Sequence, residues 1–229
     1  MSNSDMVMSD FDKIQHGRIE LALHRVRDGD GTQLLMLHGL GEQAEALLPA
    51  PFEAWTGPIY ALDFTGHGRS TVPAGGGYTC ELLVGDADRA LSHIGPSALY
   101  GRGLGAYVAL LLAGVRTDTI HGVILDDGPG LMGGGPESLP PGSGVPNEVM
   151  TNPARMGVAP DPFALLELSR DVRPPDYAVN FARFALERSR LDLPITVSAT
   201  VRPPWLAAVA AEPGVADANL ETALLRYLG

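Results

Sequence analysis

The sequence predicts an α/β fold with a mostly parallel sheet that is covered by helices on both faces. Two observations support this prediction. Short apolar runs, typical of strands buried on both faces, alternate along the chain with segments of helical length and periodicity. Glycine-rich turns follow several of these apolar runs. A chain of 229 residues suits one such domain with a modest insertion.

The first elements are a hairpin, a buried strand and a helix. Residues 13–26 alternate in patches between apolar and polar side chains, which predicts a hairpin that turns near His16 and Gly17. The continuous apolar run Gln33–Leu37 predicts a strand. Residues 42–55 are expected to form a helix that is interrupted by prolines.

The alternation continues to the end of the chain. The segment Ala98–Ala113 reads as a strand, a tight glycine turn and an apolar helix. Further strands are predicted over Pro58–Phe64, His121–Leu125 and Pro194–Thr200, and helices over Cys80–Ile94, Asp161–Ser169, Pro175–Arg190, Pro204–Glu212 and Ala218–Leu228. No clear closing strand is visible between Val215 and Ala218.

A change in composition suggests how the domain is organised. From Pro129 onwards the chain becomes dense in Gly, Pro, Ser and Asn, and two helical segments follow. We therefore predict a core of residues 13–130 and 191–229, with a cap insertion over 131–190. Residues 1–12 are expected to form a mobile leader.

The composition excludes several classes of function. A net charge of −11 disfavours nucleic acid as a partner, because phosphate binding needs clustered Lys and Arg. Lys13 is the only lysine, which leaves no internal amine for Schiff-base chemistry. Cys80 is the only cysteine, so we expect neither a disulfide nor a cysteine-based metal site, and nothing implies a metal or a cofactor.

The distribution of apolar residues predicts a protein that does not span a membrane. No apolar run reaches the ~18–20 residues that a membrane span needs. The N-terminal segment is acidic and polar, without the basic and then apolar pattern of a signal peptide. A cytoplasmic location is therefore expected.

Three motifs follow predicted strands and together suggest a family. His38 and Gly39 follow the first apolar strand, and the motif Asp63–Ser70 follows the next. Gly101-Arg-Gly-Leu-Gly105 follows the third. In this order and spacing they resemble the α/β-hydrolase superfamily in its cap-bearing form, with the best likeness over residues 18–130.

The resemblance implies a nucleophile elbow at the third motif. In the family a serine occupies the centre of a G-x-S-x-G turn, and Gly103 stands there in this chain. The backbone N–H groups of Leu40 and Leu104 would then form an oxyanion hole, next to His38 and Gly39. Arg102 adjoins the turn and would either hold a carboxylate or point to solvent.

The two other members of a catalytic triad are also missing from their family positions. The family places an acid near Arg202, where the sequence has none, and a late histidine, whereas the last histidine here is His121. Asp126 or Asp127 could supply an acid from the preceding strand. His38 and His67 are expected to orient loops through hydrogen bonds.

These observations favour one function and leave two alternatives open. The favoured hypothesis is a pseudo-hydrolase that binds a small apolar or carboxylate-bearing molecule, or a protein partner, under the cap. The first alternative is an ester hydrolase that uses bound water, the Leu40 and Leu104 N–H groups, and Asp126 or Asp127. The second is a dinucleotide binder, because Gly101-x-Gly103-x-x-Ala106 also fits a dinucleotide fingerprint.

Overall fold

Eight strands form one sheet in the computed structural model, which describes residues 11–44, 50–134 and 157–228. They are β1 (Phe11–His16), β2 (Ile19–Arg27), β3 (Gln33–Leu37), β4 (Ile59–Leu62), β5 (Ser97–Arg102), β6 (Ile120–Asp126), β7 (Ile195–Val197) and β8 (Val215–Asp217). Their order across the sheet is β1-β2-β4-β3-β5-β6-β7-β8. β2 pairs antiparallel with β1 and with β4, and every other pairing is parallel. The predicted α/β fold class is confirmed.

Six α-helices within the described residues cover both faces of this sheet. They are α1 (Cys80–Ile94), α2 (Leu104–Val115), α3 (Pro162–Arg170), α4 (Pro175–Arg188), α5 (Pro204–Ala210) and α6 (Leu220–Tyr227). The larger hydrophobic core lies under α1, α2, α4 and α5. A smaller core lies on the opposite face, under α6 and the 3₁₀ helix Ala50–Ala54.

Helix α2 is the most deeply buried element on the larger core face. Eleven of its twelve residues, Leu104–Gly114, are buried. The helix is apolar on all sides because it packs against the sheet, α1 and α4 together. Its Tyr107 ring meets the ring of Trp205 in α5 edge-to-face, with centroids 5.0 Å apart. This packing fixes the N-terminus of α2 at the carboxyl end of β5.

Several predicted boundaries differ from the structure. β1 begins at Phe11, so the last two residues of the predicted leader belong to the sheet, while residues 1–10 lie outside the described part. Within the predicted helix 42–55, residues 45–49 lie outside the described part, and the described end forms the 3₁₀ helix Ala50–Ala54. β8 was not visible in the sequence because it is a three-residue, partly exposed edge strand.

The structure describes only part of the predicted cap, residues 131–190, because residues 135–156 lie outside the described ranges. Within it, α4 buries Ala178, Ala182 and Ala185 in the larger core. Because α4 packs against α2, it belongs to the helical layer that covers the sheet. The cap as a separate unit stays a prediction.

A buried carboxylate organises the loop that follows β4. Asp63 Oδ1 accepts the Ala44 N–H at 2.7 Å, and Oδ2 lies 2.9 Å from His24 Nε2 and 2.8 Å from the Arg69 N–H. Burial acts to raise the pKa of Asp63, but the hydrogen bonds outweigh it and hold the pKa below its ordinary value. Asp63 therefore ties this loop to β2 as an anion.

The described residues show neither a membrane-spanning helix nor a metal-binding cluster. Among the described residues, no helix combines the length and the apolar character that crossing a membrane requires. In the same residues, no group of three or more His, Cys, Asp or Glu side chains could hold a metal ion. The cytoplasmic location stays a prediction.

Candidate functional site

The turn between β5 and α2 has the shape that the sequence predicts. Gly103 lies between the two elements with φ of +60° and ψ of −117°. Glycine adopts a positive φ without the strain that a Cβ atom would add. On either side, a Cβ on Gly101 would lie 2.6 Å from the Ala106 Cα, and one on Gly105 would lie 2.6 Å from the Leu37 carbonyl carbon. The strand and the helix therefore approach each other as closely as glycines allow.

The loop after β6 fills the space above Gly103. We call the segment Asp126–Leu131, which begins with the last residue of β6, the Pro129 loop. A Cβ on Gly103 would lie 2.6 Å from the Gly128 carbonyl carbon and 2.8 Å from the Pro129 nitrogen, and closer still to the Pro129 carbonyl oxygen. The nearest neighbours of this position are thus backbone atoms, and no histidine or carboxylate is among the three nearest.

The Pro129 carbonyl oxygen accepts two hydrogen bonds at the same point. The N–H of Leu40 donates to it at 3.0 Å and the N–H of Leu104 at 2.9 Å. These are the two N–H groups to which the resemblance assigns an oxyanion hole. Both donors therefore have a partner within the chain, in the place where a substrate oxygen would have to accept.

The first half of the Pro129 loop is held by its two aspartates. Asp127 accepts the N–H groups of Thr200 and Val201 at 2.6 and 2.9 Å, one on each carboxylate oxygen. Asp126 accepts the Tyr100 hydroxyl at 2.8 Å and the Asp127 N–H at 2.9 Å. Burial and the Asp126 carboxylate both raise the pKa of Tyr100, which stays protonated as a donor. Both predicted acids thus hold the loop in place.

The second half of the loop is held from the helices around it. Arg173, between α3 and α4, donates from Nη1 to the carbonyl oxygens of Gly130 and Leu131, the latter at 2.7 Å. Trp205 Nε1 donates to the Leu131 carbonyl at 2.9 Å. Every residue of the loop from Asp126 to Leu131 therefore makes at least one hydrogen bond.

His38 and His67 both use their ring nitrogens on the backbone. His38 Nε2 accepts the Phe64 N–H at 3.1 Å and Nδ1 lies 2.7 Å from the Gly39 carbonyl oxygen. His67 Nε2 accepts the Gly41 N–H at 3.2 Å, and Nδ1 lies 3.1 Å from the Thr65 carbonyl oxygen. These bonds match neutral rings that orient two loops.

The pKa values of these histidines favour the same neutral form. Burial, with the nearby His67 as a second cause, lowers the pKa of His38 from 6.5 to about 3. Burial also lowers the pKa of His67. Both shifts arise because a buried imidazolium would lose its hydration. Neither ring has a free nitrogen for taking a proton from a nucleophile.

Arg102 forms part of a small charged group beside the elbow. Its Nη2 lies 3.3 Å from Glu42 Oε1, and the other oxygen of Glu42 accepts the Gly39 N–H at 3.0 Å. The Arg102 side chain remains about one-third exposed. Arg102 thus pairs with a carboxylate of the chain itself, at the edge of the site.

A cleft of about 410 Å³ opens beside the Pro129 loop. Its lining combines glycine backbone with apolar side chains, and its polar side chains among the described residues are those of Asp127 and Ser169. The lining residues are Leu40, Asp127, Gly128, Gly130, Leu131, Met132, Gly133, Ser169 and Val201. A cleft of this size can hold a small molecule.

Sequence reasoning brought Leu40, Leu104, Gly103 and the two aspartates to one site, and the structure places them there. Nothing in the sequence indicated that Pro129, Arg173, Trp205 and Glu42 also belong to this site. The run Asp-Asp-Gly-Pro-Gly predicts a turn, but nothing in it indicates where that turn points. The roles of these four residues depend on tertiary contacts between segments that are distant in the sequence.

Comparisons with known proteins agree with the fold. A sequence profile described as "Alpha/beta hydrolase family" matches residues 34–228. A search of curated protein sequences finds no match.

Solved structures of similar fold include a membrane phospholipase A that is a bacterial virulence factor. It is 16% identical with a TM-score of 0.52, over 92% of this chain and 78% of that one. VinJ is 24% identical, with a TM-score of 0.46, over 52% of this chain and 43% of that one. Epoxide hydrolase VrEH1 from Vigna radiata is 22% identical, with a TM-score of 0.48, over 58% of this chain and 42% of that one. The alignments thus span less than half of these two proteins. Likeness at these identities concerns the fold alone.

We predict that Gly103→Ala destabilises the protein more than Gly17→Ala. Gly17 has φ of +61°, nearly that of Gly103, but a Cβ there meets nothing within 4 Å. Both variants share a backbone strain of about 1 kcal/mol. The contact with the Pro129 loop should add about 1–3 kcal/mol at position 103. Urea denaturation measures both losses of stability, and equal losses would contradict this packing of the Pro129 loop against Gly103.

We also predict that stability falls as the pH drops below 6.5. The unfolded chain binds protons at His38 and His67 near 6.5, whereas the folded chain binds them only at a lower pH, so acid favours unfolding. Below pH 6.5, His38 should contribute a slope that approaches about 1.4 kcal/mol per pH unit, and His67 should add to it in the same direction.

The control for this pH dependence is His38→Asn, which removes one titrating group. Urea denaturation between pH 6.5 and about pH 5 should show a shallower slope for this variant. An unchanged slope would mean that the folded protein protonates His38 normally.

Proposed function

The chain belongs to the alpha/beta hydrolase family, and from that premise we propose that it is a pseudo-hydrolase that binds a small molecule in the cleft beside the Pro129 loop. The observation that carries the proposal is the Pro129 carbonyl oxygen, which accepts from both Leu40 and Leu104. A substrate carbonyl would have to displace it before an oxyanion could be stabilised.

Acyl transfer in this family needs three parts, and each is compromised in this chain. A nucleophile needs a side chain, and Gly103 has none. A general base needs a free ring nitrogen, and those of His38 and His67 are bonded to the backbone. The third part, the pair of oxyanion donors, is engaged by Pro129. Restoring one part alone would leave the other two missing.

The cleft supports binding as the remaining role. Its volume of about 410 Å³ and its apolar lining fit a small molecule with a hydrocarbon portion. Met132 and Val201, which line it, are 60% and 55% exposed, so a ligand would remove apolar surface from water. A net charge of −11 makes nucleic acid an unfavourable occupant.

Hydrolysis by a carboxylate and a bound water is the first alternative. It would need Asp126 or Asp127 to hold a water above Gly103. Both oxygens of Asp127 already accept backbone N–H groups, and Asp126 accepts the Tyr100 hydroxyl. The Pro129 loop also stands where the substrate carbonyl would bind. The geometry therefore favours the pseudo-hydrolase.

Dinucleotide binding is the second alternative. A pyrophosphate would bind at the N-terminus of α2, where the Leu104 N–H donates to Pro129. The ribose would bind Asp126, whose carboxylate holds Tyr100. No observation favours this function over the first.

We predict no ester hydrolysis by the native chain, by Gly103→Ser or by Asp127→Asn. Gly103→Ser should stay inactive because the hydroxyl would have no base and no free oxyanion donors. The measurement is the release of nitrophenol from p-nitrophenyl acetate and butyrate, compared with buffer, on variants whose folding is checked by circular dichroism.

Two controls make the result decisive. A fluorophosphonate probe should leave the native chain unlabelled while it labels an active serine hydrolase in the same tube. Stoichiometric labelling, or turnover that is lost in Asp127→Asn, would overturn the proposal. Thermal stabilisation by NAD or NADP would favour the dinucleotide alternative instead.

A further inference from the structure

A row of aromatic side chains runs along one side of α4. Tyr177, Phe181 and Phe184 follow one another at helical spacings of four and three residues, so they share one face of the helix. The ring centroids of Tyr177 and Phe181 are 4.9 Å apart and those of Phe181 and Phe184 are 6.2 Å apart, and both pairs are edge-to-face. We call these three residues the aromatic stripe.

The aromatic stripe is open to solvent where α4 packs against α2. Tyr177 is 38% exposed and Phe184 is 42% exposed. Phe181 is partly buried because it packs against Gly114 of α2, where a Cβ would lie 2.8 Å from the Phe181 ring. Val115, the residue after Gly114, is 60% exposed. Contiguous apolar surface of this kind is typical of an interaction site.

The two ends of the aromatic stripe carry opposite charges. At one end, burial and the nearby Glu81 carboxylate of α1 raise the pKa of Tyr177. At the other end, the Arg188 guanidinium carbon lies 5.4 Å from the centroid of the Phe184 ring. Neither Glu81 nor Arg188 forms an ion pair with another described residue. Each charge can therefore pair with a partner of the opposite sign.

This arrangement of rings and charges is complementary to itself when one copy is reversed. Tyr177 and Arg188 are separated by about 16 Å along the helix axis, and Phe181 lies between them. A two-fold axis near Phe181 would place two stripes antiparallel, ring against ring. Arg188 of one copy would then lie at the Glu81 end of the other, and the symmetry forms this pair twice. A parallel arrangement would set like charges against each other, which is unfavourable.

We propose that the aromatic stripe is the contact surface of a homodimer in which the α4 helices of two copies pack antiparallel. The inference is independent of the proposed function, because other residues line the cleft beside the Pro129 loop. A lipid surface suits the stripe less well, since it would take the Glu81 carboxylate out of water without an arginine opposite it. A standard interface buries about 800 Å² per partner, and three rings that are already partly buried supply less. The dimer should therefore dissociate on dilution.

The test is analytical ultracentrifugation of the full chain at about 1–200 µM, in about 0.15 M salt to screen the repulsion between two acidic copies. The native chain should be monomeric at the low end of this range and mostly dimeric at the high end. Phe184→Ser should weaken the dimer by at least about 10-fold, because the symmetry removes two rings from the contact. Leu225→Ser is the matched control and should change nothing, since Leu225 is an exposed apolar residue of α6, on the opposite face of the sheet.

A charge exchange tests the orientation of the two copies. Glu81→Arg and Arg188→Glu should each weaken the dimer by at least about 5-fold, because each sets like charges opposite one another in both symmetric pairs. The double variant that combines Glu81→Arg with Arg188→Glu restores opposite charges and should recover most of the native affinity. Glu81, Phe184 and Arg188 are all exposed, so the variants should fold, and circular dichroism checks this.

Several results would overturn the proposal. A native chain that stays monomeric at about 200 µM would exclude the dimer. A dimer that Phe184→Ser leaves intact would place the contact elsewhere on the surface. A double variant as weak as the two single variants would exclude the antiparallel arrangement. Binding of the monomer to neutral phosphatidylcholine vesicles, lost in Phe184→Ser, would assign the aromatic stripe to a lipid surface instead.

Discussion

Two backbone N–H groups that share one carbonyl oxygen are the interaction on which the candidate site depends. Leu40 follows β3, Leu104 begins α2, and the Pro129 carbonyl comes from the loop after β6. One oxygen thus joins three neighbouring strand ends. Gly103 follows from the same arrangement, because the backbone of Gly128 and Pro129 occupies the space where its side chain would lie.

This arrangement has a physical reason, because a buried N–H group needs a hydrogen-bond acceptor. Leu104 is buried, and an unpaired N–H there would destabilise the fold by about 1–3 kcal/mol. In an enzyme with an open site, water or substrate can satisfy such donors. Here the Pro129 loop does so, and Asp127, Arg173 and Trp205 hold the loop in position. Both donors are thus satisfied within the fold, and the adjoining cleft is the ligand site that we propose.

Much of the fold could be predicted from the sequence because it depends on local patterns. β3 and α1 have the predicted bounds, and the glycine turn at Gly103 is where the motif indicates. Features that depend on contacts between distant segments could not be predicted. The direction of the Pro129 loop and the hydrogen bonds from Arg173 to that loop are examples, since each requires the packing of several elements. The acids Asp126 and Asp127 were placed correctly at a strand end, but their hydrogen-bond partners could not be foreseen.

The hydrogen bonds that Leu40 and Leu104 share at the Pro129 carbonyl oxygen can be measured directly in solution. Nuclear magnetic resonance can detect scalar coupling across a hydrogen bond, from an amide nitrogen to the carbonyl carbon of its acceptor. We expect couplings from both the Leu104 and the Leu40 nitrogens to the Pro129 carbonyl carbon. If neither coupling is present and both amides exchange with solvent as fast as unpaired ones, the two donors are free in solution. The site would then be open, and the proposal of a pseudo-hydrolase would lose its main support.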